Sequence, residues 1–95
     1  MKAKKNQVSS DYVLVTVKGP DRPGITAALT GILSRGNGVT LIDVEQIVVH
    51  RKLILSLLLA FDRRANHQSE VLKELLFEAK RLDVGLDFEA FDPAL

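Results

Sequence analysis

The sequence predicts an α+β domain of order β-α-β-β-α-β, a four-stranded antiparallel sheet with two helices on one face. Three observations predict it. Two segments place apolar residues three and four apart, the helical spacing: Ile25, Ala28, Leu29, Ile32 and Leu33, then Leu72, Leu75, Leu76 and Ala79. Four other segments are rich in β-branched residues or alternate apolar with polar ones, as strands do. The two middle strands are separated only by His50-Arg51-Lys52, a break short enough for an antiparallel hairpin. Two right-handed crossovers around that hairpin generate the ferredoxin-like arrangement.

The first strand runs from Tyr12 to Lys18 and ends at Gly19-Pro20-Asp21-Arg22-Pro23-Gly24. Pro23 and Gly24 stand at the start of the first helix, where the first helical amides lack partners of their own. Those N–H groups and the helix dipole suit a small anion such as a carboxylate, although Pro-Gly punctuation alone also reads as a plain tight turn. The helix spans about 24–36, with Gly36-Asn37-Gly38 as its terminating segment. Gly31 inside it costs stability relative to alanine and could mark a close approach to a strand.

Val39 to Val49 forms the second strand. Strict alternation puts Thr40, Ile42, Val44, Gln46 and Val48 on one face, with Leu41, Asp43, Glu45, Ile47 and Val49 on the other. Leu53 to Phe61 is the third strand. Asp62 to Gln68 is a polar loop, and an amphipathic helix follows over 68–82. The last strand alternates Leu86, Phe88 and Ala90 with Asp87 and Glu89, and Pro93 ends it.

The third strand is apolar on both faces. Leu53, Leu55, Leu57, Leu59 and Phe61 share one, and Ile54, Leu58 and Ala60 the other, with Ser56 the polar exception. Two helices cover only one face, so the second face or the sheet edge is expected to meet another copy or another domain, with Ile54 and Leu58 in the interface.

Ninety-five residues make one domain. Residues 1–10 read as a disordered basic tail and 11–95 as the folded unit. The tail holds Lys2, Lys4 and Lys5 and no acid, which leaves ten basic residues against twelve acidic ones in the body. That balance argues against a nucleic-acid partner. No membrane-length apolar run and no signal peptide is present, so the expected location is cytoplasmic. With no cysteine, thiolate catalysis and cysteine metal sites are excluded. No cofactor or metal is expected.

Candidate sites divide as follows. Arg22 in the first turn invites an acylphosphatase-like reading, but that chemistry needs an asparagine to orient water. Asn6, Asn37 and Asn66 all fall in tail or loop positions, which leaves Arg22 a solvated side chain. An RNA-binding sheet would carry stacking aromatics on its central strands, where the third strand has only Phe61. His50 and His67 are isolated surface histidines, and Asp62, Arg63 and Arg64 a solvated loop. Asp43 admits two readings: part of a wet strand edge with Glu45, or the partner of a ligand ammonium group whose carboxylate lies at Gly24. Gln46, on the opposite face, could offer an amide to the same ligand or to a neighbouring subunit.

Taken together, Gly19-Pro-Asp-Arg-Pro-Gly24 and Gly38-Val-Thr-Leu-Ile-Asp-Val-Glu-Gln46 resemble the ACT domain, and the likeness spans Tyr12 to about Ala90. The second segment looks like the N-terminal ACT domain of one class of phosphoserine phosphatase. The resemblance implies a non-catalytic regulatory module of serine biosynthesis. It would bind a small amino acid, serine first, between two copies or two ACT domains. It also implies ligand contacts at Asp21, Pro23, Gly24 and Ile25, with Asp43 at a strand position where the family often has asparagine. An aspartate there loses an amide donor and adds charge. The phosphatase nucleophile motif is missing, since Asp87 and Glu89 in Leu86-Asp-Phe-Glu-Ala90 do not form it, so catalysis would belong to another part of a longer protein. A stand-alone regulator and a pure dimerisation module remain as alternatives, with an acylphosphatase-like enzyme behind them.

Overall fold

The computed structural model describes residues 10–35 and 38–92. The elements are β1 (Ser10–Pro20), α1 (Ile25–Leu33), β2 (Val39–Val49), β3 (Lys52–Asp62), α2 (Gln68–Arg81) and β4 (Gly85–Phe91). The sheet order is β2-β3-β1-β4, and every neighbouring pair is antiparallel. This is the expected ferredoxin-like order. The tail to residue 9, Gly36, Asn37 and Pro93 lie outside the described residues.

The alternation in β1 and β3 builds the core. Val13, Val15 and Val17 register with Leu59, Leu57 and Leu55, and all six are buried beneath the helices. Leu53 and Phe61 extend that row on β3, while Ile25, Leu29, Ile32 and Leu33 of α1 close it from above. The opposite, helix-free face carries Tyr12, Leu14, Ile54 and Leu58, all half-buried, with Leu14 in register with Leu58.

Three expectations shift. First, α1 is shorter than 24–36, because Ser34 turns its N–H to the carbonyls of Thr30 (3.2 Å) and Gly31 (3.3 Å) and ends the helix. Second, the apolar stripe of α2 is Val71, Leu75 and Ala79, flanked by partly buried Leu72, whereas Leu76 is 46% exposed. Leu76 follows Leu75 by about 100° of helical rotation, which carries it off the packed line. Third, Leu41 and Asp43 do not share a face. Leu41 registers with Leu59 and Asp43 with Leu58, so Ile42 is an extra residue, a β-bulge. Past the bulge the alternation is reset: Val44, Gln46 and Val48 join Leu41 on the helix side, and Asp43, Glu45, Ile47 and Val49 join Thr40 on the open side. The Asp43 carboxylate secures the bulge by accepting the N–H of Val44 at 2.9 Å.

Candidate functional site

The junction between β1 and α1 is held from two directions. The N–H of Asp21 donates to the carbonyl of Arg51 at 2.9 Å, tying the turn to the tip of the β2–β3 hairpin. Arg22 donates from its guanidinium to the carbonyl of Leu82, at the C-terminal end of α2. A cation suits that carbonyl-rich helix end. Arg22 is exposed yet tied to a neighbouring element, a structural role in place of the free solvation expected of it.

Gly24 caps α1 with φ 89° and ψ −7°. These are the angles of the third residue of a type II turn, for which Pro23 supplies the preset second position. The carbonyl of Gly24 accepts the N–H of Ala28 at 2.9 Å, which starts the helix. The amides of Ile25, Thr26 and Ala27 therefore precede any intrahelical acceptor, and no side chain caps this end. The donors sit one residue later than Pro23 and Gly24 themselves, since proline has no N–H.

Beside them, the hydroxyl of Thr26 donates to Oε1 of Gln46 at 2.6 Å, which leaves the Gln46 amide nitrogen as a donor. Asp21, Arg22, Pro23, Gly24, Ile25, Thr26, Ala27, Gln46 and Leu53 line one open depression of about 320 Å³. Four expected contacts, Asp21, Pro23, Gly24 and Ile25, thus meet together with Gln46. Asp43 does not join them within one chain: it lies three residues, roughly 10 Å, along β2 and on the other side of the sheet. Ile54 and Leu58 are also on that other side. Thr26 escaped the sequence reading, though a hydroxyl in the first turn of a helix opened by Pro-Gly is a usable signal.

Elsewhere the charged groups are largely structural. Between the helices Arg35 pairs with Glu74 at 3.0 Å. Nearby, hydrogen bonding to Arg81 holds the Glu78 carboxyl below its ordinary value and raises Arg81 above its own. In the loop before α2, Asp62 accepts the Arg64 N–H at 2.9 Å, which lowers the Asp62 pKa, and Arg63 pairs with Asp11 at 2.8 Å. That loop is exposed but internally bonded. His50 and His67 are exposed, the latter 3.2 Å from Glu70. Among the described residues no three His, Cys, Asp or Glu are placed to hold a metal, and no helix is long and apolar enough to cross a membrane.

An antiparallel sheet with two helices on one face defines a fold of the ferredoxin-like class, here with an open hollow at its first turn. The chain belongs to the ACT domain family, whose model matches residues 11–89. It is 31% identical over 74 residues to the UPF0237 protein PAE3582 of Pyrobaculum aerophilum, covering 78% of this chain and 81% of that one. It is 46% identical over 48 residues to the phosphoserine phosphatase SerB2 of Mycobacterium tuberculosis, but this covers 50% of the chain and only 12% of the phosphatase. An ACT domain protein from Streptococcus pneumoniae has the same fold, with a TM-score of 0.68 at 19% identity over 84% of this chain and 89% of that one.

Proposed function

We propose that this chain is an amino-acid-binding regulatory domain, with serine its first candidate ligand, that controls an attached or associated enzyme without catalysing a reaction itself. One observation carries the reading: partnerless helix-start amides and the Gln46–Thr26 pair face the same depression. A ligand carboxylate suits the amides of Ile25 to Ala27. The hydroxyl or ammonium group of serine suits the oxygen acceptors beside them. The partial similarity to a phosphoserine phosphatase supports serine as that candidate and a phosphatase of serine biosynthesis as the regulated enzyme. Self-association or pairing with a second ACT domain belongs to the same reading, because a bound ligand acts by favouring one of two interface states. A cytoplasmic setting fits this metabolic role.

Calorimetric titration with serine, glycine and other small amino acids tests it. Saturable heat with serine at or below millimolar concentration is the expected result. Gln46→Ala is expected to weaken that binding about fivefold, the effect of losing roughly 1 kcal/mol of hydrogen bonding. Asp43→Ala, altering a residue on the other side of the sheet, is expected to leave affinity unchanged. No heat and no thermal shift with any of these ligands would leave a dimerisation module as the reading.

A further inference from the structure

We propose that the helix-free face of the sheet is a docking surface for a basic amphipathic helix of another protein. The two helices cover one face only, and β1 and β3 supply apolar residues to the other: Tyr12, Leu14, Ile54 and Leu58, each half-buried. Phe91 at one end and Ile47 towards the other add exposed apolar surface, at 41% and 55%. Such a face gains by burial against an apolar partner.

The strand register gives this face its pattern. Asp43, Leu58, Leu14 and Glu89 form one cross-strand row, and Glu45, Ser56, Thr16 and Asp87 form the next. Each row is acidic at both ends and uncharged in the middle. All four carboxylates are exposed, and none makes an ion pair among the described residues. β2 and β4 lie three strand spacings apart, roughly 14 Å, so the acids form two rails along a trough. Thr16 and Ser56, small side chains opposite each other, leave room on its floor.

These dimensions select the occupant. A helix is about 10–12 Å across with its side chains, which fits between the rails. Successive rows are about 7 Å apart along the strands, close to the roughly 6 Å between residues i and i+4 of a helix. Lysine or arginine on both flanks of an apolar stripe therefore meets a carboxylate on each side at each turn, with its stem lying along the leucines. Charge excludes other occupants. Nucleic acid and anionic lipid are repelled, and a second copy stacked over these rows opposes acid to acid. Lys18 and Lys52 stand in the two rows that follow, so the acidic stretch ends there. This face lies across the sheet from the first-turn depression, and docking on it does not depend on what fills that hollow.

The probe is a synthetic helical peptide with leucines in one stripe and lysines along both flanks. Fluorescence anisotropy of the labelled peptide and amide NMR of the full chain are the readouts. Micromolar binding is expected, shifting the amides of Leu14, Thr16, Ser56 and Leu58 more than those of α1 and α2. Asp87→Asn with Glu89→Gln should weaken binding about tenfold, the combined effect of two exposed ion pairs. Glu70→Gln, at an exposed acid on α2, should leave it unchanged. Circular dichroism of both variants checks that the fold persists. A peptide with the same residues in scrambled order should bind far more weakly. No binding would overturn the proposal, as would equal binding of the scrambled peptide, indifference to the β4 double substitution, or shifts centred on the helices. Removing residues 1–9, which hold Lys2, Lys4 and Lys5, should leave the affinity unchanged. A large gain on their removal would make the chain's own basic segment the occupant and overturn docking by another protein.

Discussion

At Gly31 the backbone conformation is ordinary and the position is exposed: a Cβ built there meets nothing within 4 Å. The close strand approach that a mid-helix glycine could signal is absent. Gly31→Ala should therefore raise stability by about 0.5–1 kcal/mol, by restricting the unfolded chain and improving helix propensity. A chemical-denaturation midpoint is the measurement, and an unchanged or lower midpoint would contradict it. Gly24 contrasts with it. Its Cβ would also meet nothing within 4 Å, but its φ of 89° lies in the region that side chains rarely adopt. Gly24→Val therefore strains the turn as well as intruding on the depression, and loss of binding in that variant does not isolate the site. Gly19 is constrained differently, because a Cβ there would come within 2.8 Å of Val84.

The β2–β3 hairpin concentrates what pattern reading reaches and what it misses. Its existence follows from two apolar runs with a short polar break, and the strands pair as expected. Its turn holds His50 at φ 49° and Arg51 at φ 65°, two left-handed residues in a two-residue connection usually built from Asn-Gly. His50→Asn with Arg51→Gly should relieve that cost and stabilise the domain by about 1–2 kcal/mol. Equilibrium unfolding of the double variant checks it, and a loss of stability would mean that these side chains support the hairpin. The bulge at Ile42 was not legible, since one extra residue leaves the same β-branched composition and only breaks the phase. That slip separates Leu41 from Asp43 and delivers Gln46 to the helix side. In α2 the period was legible but the buried line was not, because Leu72, Leu75 and Leu76 fit an apolar face as well as Val71, Leu75 and Ala79 do.

For the molecule as a whole, element order followed from periodicities that burial enforces, whereas β3, apolar on both faces, buries the row that registers with Val13, Val15 and Val17 of β1. The candidate site was legible at the turn, where Pro23-Gly24 has a local signature. It was not legible where partners are remote in sequence: Arg22 with Leu82, Asp21 with Arg51, and Thr26 with Gln46. These contacts fix the depression to the hairpin and to the end of α2, so motion of β2 relative to α1 would alter the space a ligand occupies. The ligand and the self-association proposed with it have a joint thermodynamic consequence. A ligand that binds the paired state more tightly than the single chain must strengthen pairing by the same factor for each occupied site. A tenfold preference corresponds to about 1.4 kcal/mol per site, enough to bias an attached enzyme. Sedimentation equilibrium across a serine titration should show the dimer dissociation constant falling as serine rises. Calorimetry should show serine binding about tenfold more weakly at protein concentrations where the chain is monomeric than where it is dimeric. Equal affinity in the two forms would uncouple the depression from self-association and refer any control to a different contact.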